Sequence, residues 1–238
     1  MEIDFMSIPI RYYISAFQQL FFPHICCGCG ADYLKDNQFI CASCMHMLPE
    51  TCFMDKPGNP IDKIFEGRIP VMAAGAGFYF YKSGLIQHLI AQLKYHQNKE
   101  AGRFLGRCLG RQLKATNRFN SVDLLMPLPL HPKKEFQRGY NQAALICEGI
   151  KEIWPKPICT KAVSRLVYTQ TQTQGNRVSR WKNMENAFWP VDPAFIKNKH
   201  ILLIDDVITT GASLEACGNA ILSVPGTKLS IVTAAFTV

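Results

Sequence analysis

The chain has 238 residues, 48% of them apolar and 18% charged, a globular balance that excludes a disordered tail protein or a coiled coil. Lysine and arginine (26) outnumber the acids (18), giving +8, so the surface favours anionic partners: nucleic acid, phosphates or an acidic membrane face. No run of about 18 or more apolar residues suggests a membrane span, and Glu2 and Asp4 stand where a secretory leader would be basic, so a cytoplasmic protein is expected.

Residues 1–22, with the apolar, aromatic run from Ile8 to Phe22, predict an amphipathic entry helix. Residues 23–52 form a cysteine module. Residues 53–70, with three prolines and two glycines, read as a linker. From 71 to 238 the pattern becomes α/β. Val71–Tyr81 predicts a Gly-rich strand region. Leu85, Ile86, Leu89, Ile90 and Leu93 recur at helical spacing, as do Phe104, Leu105, Cys108, Leu109 and Leu113. Val122–Met126 predicts a buried strand, Asn141–Trp154 a helix and Ile158–Val163 another strand. Residues 165–186 are polar and too long for an idle loop. Ile201–Ile204 predicts a strand, Ser213 to about Leu222 a helix, and Leu229–Phe236 a final strand. Strands alternating with helices imply a mostly parallel sheet covered on both faces.

Ten cysteines are many for a cytosolic protein, and five of them lie between Cys26 and Cys44. Cys26-x-x-Cys29 and Cys41-x-x-Cys44, eleven residues apart, suit a four-thiolate zinc ribbon in which two knuckles close one tetrahedron. Cys27 competes with Cys26 as ligand, but its CxC spacing to Cys29 makes a poorer knuckle. Four protein ligands leave no open position, so the zinc would be structural. Metal-free buried thiols and a redox CxxC are the alternatives.

The most specific segment runs from Ile201 to Ser213. A short apolar strand delivers Asp205 and Asp206 to its carboxyl end, where open α/β sheets bind ligands. Thr209, Thr210, Gly211, Ala212 and Ser213 then form a small hydroxylated turn opening a helix. Backbone N–H groups, hydroxyls and the positive end of the helix dipole suit a phosphate monoester. The acids would repel that phosphate; they suit the diol of a ribose or a magnesium shell.

This string resembles the signature of the type I phosphoribosyltransferases, which bind phosphoribosyl pyrophosphate (PRPP). The resemblance implies that Asp205 and Asp206 hold the ribose hydroxyls while Thr209 to Ser213 wrap the 5-phosphate. It narrows to the ComF family, the competence-associated phosphoribosyltransferase-like proteins. The residues that carry it are Pro127-Leu128-Pro129-Leu130, Arg138-Gly139-Tyr140-Asn141-Gln142, the cysteine module after Phe21-Phe22-Pro23, Leu93-Lys94-Tyr95, and Arg177, Arg180, Asn183, Ala187 and Phe188. By that resemblance the fold is a type I phosphoribosyltransferase-like α/β domain preceded by a zinc ribbon. The resemblance also implies that magnesium accompanies PRPP, that the loop around Leu130, Lys133, Arg138, Gly139 and Asn141 binds pyrophosphate, and that Gln174, Arg180 and Asn183 lie on a flexible loop closing over the ligand. If the chain is an enzyme, an acceptor nitrogen displaces pyrophosphate from ribose C1; the sequence names neither the acceptor nor a catalytic residue. The resemblance also implies single-stranded DNA and competence proteins as partners in DNA uptake. Arg103, Arg107 and Arg111 step by four along one helix face and offer a row of cations to a phosphate backbone. The same residues also read as an ordinary solvated face.

Overall fold

A computed structural model describes residues 24–32, 34, 38–165 and 187–237. The entry helix expected over 1–22 and the flexible-loop candidates Gln174, Arg180 and Asn183 lie outside them. Two compact units divide the chain, one ending at Met47 and one starting at Leu48. In the first, Cys41 caps the short helix α1 (Ala42–His46).

The second unit runs α2 (Pro60–Phe65), β1 (Ala74–Phe80), α3 (Leu85–Tyr95), α4 (Lys99–Ala115), β2 (Leu124–Pro127), α5 (Pro132–Arg138), α6 (Gln142–Ile153), β3 (Val163–Arg165), β4 (Phe188–Pro190), α7 (Pro193–Ile196), β5 (His200–Ile208), α8 (Ala212–Leu222) and β6 (Lys228–Thr237). The main sheet has the order β1-β6-β5-β2, with every pair parallel. Both central strands are almost wholly buried, as expected for a sheet flanked by helices. Residues 49–51 cover the free edge of β1: Tyr79 N–H donates to Pro49 O at 2.8 Å and Thr51 N–H to Gly77 O at 3.0 Å.

The stretch 53–70, expected as a linker, is instead part of the core. Its prolines and glycines punctuate a helix rather than a free tether. Pro60 takes the first helical position of α2, and Asn59 forms a capping box with Asp62. Phe53, Ile61, Phe65 and Ile69 are buried in the main hydrophobic cluster. Arg118, at the end of the basic run, fastens this stretch. It donates to both Asp62 carboxylate oxygens at 3.1 and 2.9 Å and to Phe53 O and Lys56 O at 3.1 and 3.0 Å.

The strand expected over Ile158–Val163 also differs. Ile158 makes a single bridge to Leu125, and the strand proper is β3, paired antiparallel with β4. Pro155 and Pro157 carry no N–H, so no ladder extends there beyond the bridge. Strand β5 outruns its expected end at Ile204. Strand β6 continues beside it to the Ile208–Phe236 pair, whereas β2 stops with Pro127 opposite Ile204. Asp205 and Asp206 therefore lie on a stretch of β5 that β2 does not pair with.

Helices α4 and α6 cross at backbone contact. A Cβ on Gly106 would lie 2.2 Å from Ile146 O, and one on Gly149 2.1 Å from Arg103 O, so neither position admits a side chain.

Candidate functional site

The acid pair lies beyond the end of β2. Asp206 is buried and Asp205 half-buried; the Asp206 N–H donates to Asp205 Oδ1 at 2.9 Å. Burial first, then the neighbouring Asp206, raises the Asp205 carboxyl from 3.8 to about 7, against the opposing charges of Lys94 and Arg165. Lys94 Nζ stands 2.9 Å from Asp206 Oδ1, with both side chains largely withdrawn from water.

Strand β5 then leads through the exposed Thr209 and Thr210 to Gly211, whose φ of +74° sets up α8. Gly211 is buried against Ile64 and Phe65 of α2. The first turn of α8 points its N–H groups out of the helix. Glu215 in that turn would repel a phosphate, but Arg68 pairs with it. The same guanidinium donates to Thr210 O and Ile64 O, both at 2.9 Å, and so holds the turn from behind.

On the β2 side, Leu128 N–H donates to Ile204 O at 2.8 Å, extending the strand alignment to the rim of the site. Asn141, expected on the pyrophosphate loop, has a structural task. Its Nδ2 donates to Leu128 O at 3.0 Å and its Oδ1 accepts from Ala143 N–H at 2.9 Å, capping α6. Gly139 closes α5 at φ +77°. Arg138 donates to Gln142 at 2.8 Å. Lys133 is exposed and Leu130 and Lys134 are partly so. Burial, then the charges of Arg165, Arg138 and Lys94, lowers the Lys134 ammonium, so these cations share one neighbourhood.

Sequence reading missed three of these residues. Lys94 sits in the Leu93-Lys94-Tyr95 segment but ends a helix more than a hundred positions from the acids. Arg165 lies over the Phe188 ring at 5.2 Å and within electrostatic reach of Asp205. Arg68 lies in the stretch read as a linker. The row Arg103, Arg107 and Arg111, by contrast, faces acids. Arg103 pairs with Glu148 at 2.9 Å, and Arg107 with Glu100 at 2.5 Å and Glu152 at 3.2 Å. Arg111 approaches Cys108 Sγ at 3.9 Å. Most of the row's charge thus braces α4 against α6.

In the first unit, Cys26, Cys29, Cys41 and Cys44 hold their sulfurs within 4.8 Å of one another. Cys29 and Cys41 Sγ are 3.7 Å apart, and thiolates around a tetrahedral zinc stand about 3.8 Å apart. Cys26 Sγ accepts N–H groups of Gly28 and Cys41 at 3.4 and 3.2 Å, and Cys41 Sγ that of Cys44 at 3.4 Å. Burial raises the Cys26 thiol, but the amides of Cys29, Cys41 and Gly28 outweigh it and bring the thiol down to about 6. Burial and the Cys26 charge push Cys27 up to about 11. The donor set therefore fits a thiolate-bound metal, with Cys26 rather than Cys27 in the cluster. None of the ten cysteines forms a disulfide.

No family model matches the chain. It is 28% identical over 198 residues to Competence protein F of Haemophilus influenzae, covering 82% of this chain and 76% of that one. DNA utilization protein YhgH of Escherichia coli is 28% identical over 56% of this chain and 60% of its own length. Competence protein ComFC of Bacillus subtilis is 26% identical over 42% and 38%. These relatives support the resemblance to the ComF family. Among solved structures, the chain is similar to a hypoxanthine phosphoribosyltransferase from Staphylococcus aureus (20% identity, TM-score 0.32, 57% of this chain and 62% of that one). It is also similar to the allosteric regulatory enzyme of purine biosynthesis (17%, TM-score 0.35, 56% and 25%). No described helix is long and apolar enough to cross a membrane.

Proposed function

We propose that this chain binds a ribose 5-phosphate, PRPP being the ligand that would fill the site most completely. One observation carries the reading. A single strand–turn–helix unit sets two carboxylates beside the first turn of an eleven-residue helix, with a buried glycine fixing the turn. The N–H groups and hydroxyls of Thr209 to Ser213 suit the phosphate, and Asp205 and Asp206 suit the ribose hydroxyls. Lys133, Lys134 and Arg138 would face the pyrophosphate, and magnesium would travel with that group. If an acceptor nitrogen is delivered, the C1–N bond forms as the C1–O bond to pyrophosphate breaks. The residues described would then contribute positioning and stabilisation of the leaving pyrophosphate. Zinc at the four thiols would be structural, and ten cysteines with no disulfide among them suit a reducing, cytoplasmic setting.

Calorimetric titration of PRPP with magnesium tests this, with wild type set against Asp205→Asn/Asp206→Asn. Binding by wild type and its loss in the variant are expected. No binding at millimolar PRPP by folded, metal-loaded wild type would refute the proposal.

A second reading, single-stranded DNA handling in DNA uptake, fits the names of the relatives and is favoured by Phe136. That ring is 91% exposed on α5, among Lys133, Lys134 and Arg138, as a base-stacking platform requires. In fluorescence anisotropy with a labelled oligonucleotide, Lys133→Ala/Phe136→Ala should weaken binding more than Arg103→Ala/Arg107→Ala/Arg111→Ala, because two of those arginines already face acids.

A further inference from the structure

Two adjacent carboxylates beyond a strand end attract a divalent cation unless something else balances them. Here Lys94 stands 2.9 Å from Asp206 Oδ1, and Arg165 lies within electrostatic reach of Asp205. The acid pair therefore faces two resident cations. A magnesium ion arriving at the carboxylates would meet a locally balanced group and would have to displace the Lys94 ammonium. A ribose diol is neutral and needs acceptors, which a balanced pair supplies.

The position of Lys94 is built in. It is the penultimate residue of α3, and the carbonyl before it, Leu93 O, accepts the Tyr140 hydroxyl at 2.6 Å. Tyr140 stands between α5 and α6, with Lys99 over its ring at 5.6 Å. The Arg138–Gln142 segment thus anchors the end of α3 that carries Lys94. The lysine side chain is 20% exposed, so a ligand at the acids has access to it.

We infer that Lys94 is the site's own counter-cation: it positions the Asp206 carboxylate and takes the place of a divalent cation at the ribose end. The inference rests on the ribose-phosphate reading and adds to it that magnesium belongs to the pyrophosphate end alone. A ligand without pyrophosphate should then bind without metal.

The probe is ribose 5-phosphate, titrated calorimetrically into the full, zinc-loaded chain in buffer freed of magnesium over a chelating resin and again in millimolar magnesium. Wild-type affinity should differ by less than about threefold between the two media, under 1 kcal/mol of binding free energy. Lys94→Met should bind about tenfold more weakly without magnesium and recover in it, whereas Lys94→Arg, which keeps the charge, should stay near wild type. Thermal melts of both variants establish that they fold. Wild-type binding that magnesium removal abolishes, or Lys94→Met binding without magnesium as tightly as wild type, overturns the role of the lysine and leaves the ribose-phosphate site standing. Failure of wild type to bind the probe in either medium overturns that site and the inference with it.

Discussion

Gly211 and Gly139 test what sets up the phosphate turn. Both have a positive φ, +74° and +77°, in which an alanine costs about 1–2 kcal/mol. They differ in surroundings. A Cβ on Gly139 meets nothing within 4 Å, whereas one on Gly211 would lie 2.9 Å from Ile64 Cγ2 and 3.0 Å from Phe65 Cε1. Phe65 is fully buried, so the turn rather than the core must shift. Overpacking of this kind adds about 1–3 kcal/mol. For a unit of this size each kcal/mol lowers Tm by about 2–4 °C. Gly139→Ala should therefore lose about 2–8 °C, and Gly211→Ala about 4–20 °C. Displacement of the turn should also cost Gly211→Ala its affinity for ribose 5-phosphate. Differential scanning calorimetry of the two variants, followed by titration with the sugar phosphate, reads both effects. Equal melting losses would show that the α2 contact does not fix the turn, and unimpaired binding by Gly211→Ala would separate the turn from the ligand.

Asp205 predicts a pH dependence. Its folded value of about 7, against the ordinary 3.8, means that the folded chain keeps a proton there that the unfolded chain has released. Its contribution to stability is complete below about pH 4 and is lost as the pH rises through 7. Urea midpoints from pH 5 to 8 should accordingly fall less steeply for Asp205→Asn than for wild type, and parallel curves would refute the assignment. Arg68→Met leaves the Glu215 carboxylate buried without its partner and should lower stability by about 1–3 kcal/mol, the pair being partly solvated. Arg68→Met/Glu215→Met should recover part of that loss in the same urea series, and no recovery would mean that the pair is not what Arg68 contributes. Plasma emission analysis should find about one zinc per chain in wild type and Cys27→Ser, and loss of the metal in Cys41→Ser. Retention by Cys41→Ser would refute the ligand set.

The parts of the fold that the sequence made legible are those set by local pattern. Helices α3, α4 and α6 follow their apolar spacing, and the string from Ile201 to Ser213 lies on strand, turn and helix as its residue types require. The stretch 53–70 was opaque because proline and glycine mark helix boundaries as readily as tethers, and only Arg118, far along the chain, ties it down. The arginine row shows the same limit. Gly102, Gly106 and Gly110 run beside Arg103, Arg107 and Arg111, and a glycine row on a helix lets another helix approach closely. That approach brings Glu148 and Glu152 against the arginines. Charge counted along one helix reads as a surface for nucleic acid, whereas charge counted across the α4–α6 crossing is largely cancelled. Lys94 is the reverse case. Counted along α3 it is one cation at a helix end, but across the sheet it meets Asp206. In each case the residue's role is decided by a partner that no local spacing predicts, so the chemistry of the site depends on the long-range packing that brings α3, α5 and β5 to one end of the sheet.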